Sequence, residues 1–173
     1  MMTKSATQFL ALLACILISG LTAPMVSAGT IKISGKASMT YSKKEVVPIG
    51  DAEGHILMLG VSGVTNSNTG SSDYMDGATA TTRSTADLMK GNGPQAGYFT
   101  LSKDGNETVA KYSGTIKTVL SPEGRPLTSF SGAWKYITCN GVYEGCTGEG
   151  IYQGHFTAEN EYTVEYEGTL VQQ

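Results

Sequence analysis

Five times the chain places an aromatic residue, one residue of any kind, and then glycine. The copies are Tyr112-Ser113-Gly114, Phe130-Ser131-Gly132, Tyr143-Glu144-Gly145, Tyr152-Gln153-Gly154 and Tyr166-Glu167-Gly168. Side chains at i and i+2 of a strand share one face, so each copy sets a large ring beside a gap on that face. Glycine inside a strand costs stability and marks a bend or a close approach of backbones. A ring packed next to each gap suits a strongly coiled antiparallel sheet that closes on itself. The repeat therefore constrains architecture much more tightly than it constrains chemistry.

Alternation of apolar and polar residues supplies the strands. From Ile31 and Ile33 through Ala37, Met39 and Tyr41 the apolar residues fall on odd positions, with Lys32, Ser34, Lys36, Ser38 and Thr40 on the other face. His55 to Val64 reads as a second strand with Leu57, Leu59 and Val61 on one face, and the Thr-rich stretch Ala78 to Leu88 as a third. Five more are expected over Gly97–Ser102, Glu107–Leu120, Thr128–Thr138, Gly148–Thr157 and Tyr162–Val171. In the last, Tyr162, Val164, Tyr166 and Leu170 face the core. Asp104-Gly105 between two alternating runs is a hairpin signal. Turns are also expected at Gly91-Asn92-Gly93-Pro94, Pro122-Glu123-Gly124-Arg125 and Ala158-Glu159-Asn160-Glu161, and a polar loop at residues 66–72. No helix is expected after residue 28. The pattern predicts an all-β fold, an eight-stranded antiparallel up-and-down barrel, with a two-sheet β-sandwich as the alternative.

The amino terminus carries an address. Lys4 is the sole charge before Lys32, an apolar stretch runs from Phe9 to Leu21, and Val26-Ser27-Ala28 ends it with small residues. This predicts a signal peptide over 1–28 and one β domain over 29–173, exported to the periplasm or secreted. The apolar stretch is shorter than the roughly 20 residues that span a bilayer, so no membrane span is expected. Leu12-Leu13-Ala14-Cys15 gives the alternative of a lipoprotein anchored at Cys15. Cleavage after Ala28 leaves 173 − 28 = 145 residues, with 11 basic against 15 acidic side chains. No basic run exceeds Lys43-Lys44, so nucleic acid and anionic membrane surfaces have no electrostatic footprint here. Cys139 and Cys146 remain as an even pair, read as a disulfide in an exported chain. Their spacing matches no common zinc pattern, and neither a metal nor a cofactor is expected.

The stretch Gly132-Ala133-Trp134-Lys135-Tyr136-Ile137, followed by Gly141-Val142-Tyr143-Glu144-Gly145-Cys146-Thr147-Gly148-Glu149-Gly150-Ile151-Tyr152, carries a family likeness. It resembles the strand–tight-turn–strand segment of barrels related to allene oxide cyclase and dirigent proteins, within the calycin-like group. It is more similar still to exported bacterial members of that superfamily with no assigned activity. The resemblance spans about Phe130 to Gly168. It implies an eight-stranded barrel with a central cavity, often as a homo-oligomer. The plant cyclases isomerise a fatty-acid epoxide and dirigent proteins steer phenoxy-radical coupling. No functional acid of either group is carried over to a position of this chain.

Candidate chemistry is sparse, and the catalytic residues are unknown at this level. His155 lies in phase with Ile151 and Gln153, opposite Tyr152, Gly154 and Phe156, which places it on the solvent face. His55 reads as a surface residue. Glu165 and Glu167 alternate with the core rings and read as a solvated strand face, and Arg83 as an outward side chain. Gly91-Asn92-Gly93-Pro94-Gln95-Ala96 matches a dinucleotide fingerprint by letters but lacks the following helix. Asp73 and Asp76 near Asn66 and Asn68 do not fit a calcium loop. Asn106-Glu107-Thr108 fits a glycosylation acceptor by letters, and a turn role suffices for it. The inward rings give the best site. Tyr112, Phe130, Trp134, Tyr136, Tyr152 and Tyr166 are expected to line a cavity for a small apolar or aromatic ligand. Tyr41, Phe156 and Tyr162 crowd the same interior. A structural or protein-interaction role and a cyclase or isomerase activity are the other readings.

Overall fold

The computed structural model describes residues 29–64 and 74–172. The segment 1–28, with its expected signal peptide and Cys15, and the loop residues Asn66, Asn68 and Asp73 lie outside these. The described residues form eight antiparallel strands: β1 Gly29–Pro48, β2 His55–Val64, β3 Thr79–Met89, β4 Gly93–Lys103, β5 Asn106–Leu120, β6 Pro126–Asn140, β7 Glu149–Ala158 and β8 Glu161–Gln172. Each strand pairs with its chain neighbours, and β1 pairs with β8 from Gly29↔Gln172 to Thr40↔Glu161. The result is one ring-like sheet rather than two stacked sheets.

Glycine governs how the ring closes. In β6 and β7 the tripeptides Phe130-Ser131-Gly132 and Tyr152-Gln153-Gly154 pair head to tail, giving Phe130↔Gly154 and Gly132↔Tyr152. The row then continues from Gly132 to Gly114 of β5 and from Gly114 to Gln95 of β4. The Tyr152 ring lies across both glycines. A Cβ at Gly132 would stand 2.7 Å from the Tyr152 hydroxyl, and one at Gly114 would stand 2.5 Å from it. Trp134 lies the same way over Gly150 and Gly168, where an added Cβ would meet its Cζ2 at 2.6 Å. Tyr112 covers Gly97, and Tyr41 covers Gly60. Rings thus fill the space that missing side chains leave on adjacent strands, so backbone and ring pack in direct contact.

Turn chemistry agrees with the sequence. Asp104 and Gly105 both take positive φ, 50° and 78°, as a two-residue hairpin of this hand requires. The Gly91 turn is followed by Pro94 inside β4, where it pairs with Thr115 of β5. The β3 ladder begins only at Gln95, so the proline's missing N–H interrupts no bond on that side. The chain continues from that strand through the Asp104-Gly105 turn into β5.

Three features add to the sequence reading or depart from it. The sequence left open which way the shared face of Leu57, Leu59 and Val61 on β2 points; it points outward, and Leu59 is exposed. The inward face is instead Ile56, Met58, Gly60 and Ser62. Gly60 gives way to the Tyr41 ring, and Ser62 hydrogen-bonds inside, so the smaller residues fit the interior better than the leucines. The fifth aromatic-x-glycine copy, Tyr143-Glu144-Gly145, is not in a strand. It starts at the last residue of a short 3-10 turn, Gly141–Tyr143, within the Cys139–Cys146 loop, and Gly145 has φ +72°. The two cysteines stand at disulfide distance, with Cα atoms 5.6 Å apart. Finally, β1 runs on to Pro48, seven residues past the expected Tyr41. A bulge between Tyr41 and Lys43 shifts its register there.

The ring-over-glycine packing gives a direct test. Gly114→Ala forces its methyl against Tyr152 and the backbone of β6, and should cost about 1–3 kcal/mol or more. Gly63→Ala, whose nearest neighbour would be the Ala80 carbonyl at 3.6 Å, should change stability by no more than about 1 kcal/mol. Urea unfolding of the two variants measures the difference.

Candidate functional site

The inward faces enclose a cavity of ≈ 70 Å³. At the ~10–15 Å³ that one water needs on this measure, it has room for roughly five to seven water-sized positions. Tyr112, Phe130, Trp134, Tyr136, Tyr152 and Tyr166, the ring residues expected from the sequence, all line it. So do Tyr41, Phe156 and Tyr162. Val164, expected to face the core, lines it too, whereas the sequence reading did not single out Phe99, Leu101, Ala110, Thr82, Ser84, Gln95 and Thr108. Thr82, Ser84, Gln95, Thr108 and Ala110 are polar or small and did not stand out, and no face was assigned to the β4 residues Phe99 and Leu101.

The rings contact each other edge to face. Tyr112 and Tyr152 have centroids 5.3 Å apart at 71°, Phe130 and Tyr162 5.6 Å apart at 81°, and Trp134 and Tyr136 5.0 Å apart at 63°. This is the arrangement the ring quadrupole favours. Each buried polar tip has a partner. The Tyr162 hydroxyl bonds Ser62 Oγ at 2.8 Å and Thr82 Oγ1 at 2.9 Å, and those two hydroxyls bond each other at 2.7 Å. Gln95 Nε2 donates to the Tyr152 hydroxyl at 3.1 Å, and Trp134 Nε1 donates to the Ile151 carbonyl at 3.1 Å.

One end of the ring is filled by a residue that the sequence did not single out. Tyr74, from the connection between β2 and β3, is buried. Its hydroxyl bonds Tyr136 OH at 2.7 Å and Thr108 Oγ1 at 2.9 Å, and its ring stands edge-on to Tyr143 at 5.3 Å. Asn106 braces the same end: its Oδ1 accepts the Val142 N–H at 2.9 Å. Asn106-Glu107-Thr108 is thus occupied by structural contacts.

The electrostatics of the cavity are those of neutral phenols. Among the described residues, its lining contains no Asp, Glu, His, Lys, Arg or Cys. Burial pushes the Tyr41 and Tyr152 hydroxyls up to about 12, with the neighbouring Tyr162 adding to the effect at Tyr41. Desolvation likewise raises Tyr74, Tyr112, Tyr136 and Tyr162 above the ordinary phenol value. All these hydroxyls stay protonated near neutral pH and act as hydrogen-bonding groups.

The charged candidates lie outside the cavity. His155 is exposed on the outer face with Ile151 and Gln153. Glu165 pairs with Lys36 at 2.9 Å across the outer face, and that bond holds its carboxyl below the usual range. Glu167 and Arg83 are also exposed. His55 is held between two carboxylates, Nε2 to Asp87 Oδ1 at 2.7 Å and Nδ1 to Asp51 Oδ1 at 2.5 Å. Both hydrogen bonds favour the imidazolium and raise its pKa, Asp87 first. Its contribution is therefore present below about pH 6.5 and is lost as pH rises through the raised value. Among the described residues, no group of three or more His, Cys, Asp or Glu side chains is arranged to hold a metal ion.

Comparison of the chain with protein-family models and with curated proteins returns no match.

Two outcomes are expected. Trp134 is 7 % exposed, whereas Lys135 lies outside. Trp134→Ala should cost about 3–5 kcal/mol and Lys135→Ala no more than about 0.5 kcal/mol, as read by denaturant unfolding. The phenols set an alkaline limit. An unfolded tyrosine releases its proton near 10.0, whereas Tyr41 and Tyr152 hold theirs to about 12. The unfolded chain then binds fewer protons, so stability should fall as pH rises through that interval. Tyrosinate absorbance should appear together with loss of the fold.

Proposed function

We propose that the ring is an up-and-down barrel of the allene oxide cyclase and dirigent-like kind, and that it binds a small apolar or aromatic compound in its interior. The supporting observation is the ring-lined cavity itself. Small barrels either fill their interior or hold one small ligand, and here packed aromatics leave ≈ 70 Å³ open. Edge-to-face walls suit a flat ring, and the Gln95–Tyr152 and Ser62–Thr82–Tyr162 hydroxyl groups offer polar contacts at the margin. Acid–base catalysis as in a cyclase or isomerase needs a group poised to exchange protons near the working pH. The lining offers only phenols held protonated, so binding is the better supported activity. The signal peptide expected over 1–28 and the Cys139–Cys146 pair at disulfide distance support a reading of export to the periplasm or secretion.

A second reading rests on a separate observation. The hairpin ends at one end of the ring expose apolar residues, including Val46, Ile49, Val119, Leu120 and Leu127, with Leu120 71 % exposed. Apolar exposure of this kind favours an interaction role, with another protein or a second copy covering that end.

The binding reading predicts that indole or benzyl alcohol changes Trp134 fluorescence saturably. Ala110 lines the cavity, and Ala110→Leu should fill it and weaken binding at least about ten-fold while circular dichroism stays unchanged. That factor corresponds to about 1.4 kcal/mol. Absence of any saturable change with such compounds would overturn the reading.

A further inference from the structure

The cavity lining is uncharged, but one cation stands at its edge. The bulge between Tyr41 and Lys43 changes which side chains of β1 point inward. Before it, Met39 and Tyr41 face the interior; after it, Lys44 does, opposite Gly60 of β2. At this level β8 has already ended at Glu161, while β1 continues to Pro48. Lys44 therefore reaches over a step in the rim, from β1 to the turn between β7 and β8. Its Nζ donates to the Glu159 carbonyl at 3.0 Å and lies 3.7 Å from Glu159 Oε1. It also lies 5.9 Å from the centroid of Tyr41, a ring that lines the cavity. The side chain is 23 % exposed. Glu159 supplies two oxygens to an ammonium that carries three N–H donors.

We propose that the ligand is a single-ring aromatic carboxylate, with its ring among the cavity aromatics and its carboxylate on Lys44 Nζ. This rests on the ligand-binding reading above. The cavity volume limits the buried part to about one ring on the measure used earlier. The neutral lining repels a charge within the cavity because burial without a partner is costly. A carboxylate left at the rim avoids that cost and meets a partly desolvated ammonium, where a charge-assisted hydrogen bond is stronger than at an open surface. Glu159 competes for the same ammonium. Its carboxylate is the group that an incoming anion displaces, while its carbonyl keeps Lys44 in place.

The test compares 3-phenylpropionate with its neutral amide, 3-phenylpropanamide, by calorimetry and Trp134 fluorescence at pH 7. The wild-type chain should bind the acid about ten-fold more tightly than the amide, in keeping with a hydrogen bond to a charged group. Lys44→Met keeps the length of the stem and should abolish that preference while leaving amide affinity unchanged. Glu159→Gln removes the competing charge and should tighten binding of the acid but not of the amide, an effect that a purely structural lysine would not produce. Equal affinity for acid and amide in the wild type, or an acid preference that survives in Lys44→Met, overturns the carboxylate assignment and leaves the binding reading standing. Failure of both probes to bind overturns both. Should Lys44→Met fail to fold, the Glu159→Gln response decides alone.

Discussion

Contact between aromatic rings and bare backbone is the constraint on which the rest of the structure depends. Tyr152 can cross Gly132 and Gly114 to reach Gln95 only because neither position has a side chain. Trp134 can lie over Gly150 and Gly168 for the same reason. These contacts let the sheet curve tightly enough to return β8 to β1, since a Cβ at any of the four glycines would hold ring and backbone apart. They also set the composition of the interior. Once the rings lie flat against the wall, the remaining volume is small, uncharged and bounded by ring edges.

Much of this was legible from spacing alone. The aromatic-x-glycine copies on β5, β6, β7 and β8 announced both the curvature and the identity of the lining rings, because a period of two leaves little freedom about which face a residue takes. Asp104-Gly105 fixed a hairpin through backbone chirality, independent of tertiary context. The reading ran out where tertiary packing decides and local pattern does not. On β2 the leucines point outward because the interior at that level is already occupied by the Tyr41 ring and the Tyr162 hydroxyl network. Hydropathy ranks Leu above Ser and Gly, but packing against a large neighbour ranks them the other way. Tyr143 copied the motif by letters while sitting in a disulfide-bounded loop, where the strand period has no meaning.

The site was partly legible for a related reason. Rings are visible in a sequence, whereas their hydrogen-bond partners are not. Ser62, Thr82 and Gln95 look like surface residues until strand register brings them to Tyr162 and Tyr152. Tyr74 was hidden in a connection, and its role depends on meeting Tyr136 and Thr108 from distant strands. The bulge that turns Lys44 inward leaves no clear mark in the alternation of Ser42-Lys43-Lys44-Glu45. Such features follow from pairing partners, which a single strand cannot specify.

The pairing of Gly29 with Gln172 has a kinetic consequence. Seven of the eight strand contacts join neighbours in the chain and can form as hairpins, each within a short loop. The eighth joins opposite ends, and its loop-closure entropy is compensated only when almost everything else is in place. Until that moment β1 and β8 are both open edges with unsatisfied backbone groups, and each can template on another chain as easily as on its own partner. The last seam to close is therefore the one on which refolding yield depends, and dilution should favour the monomeric ring over any chain-to-chain substitute.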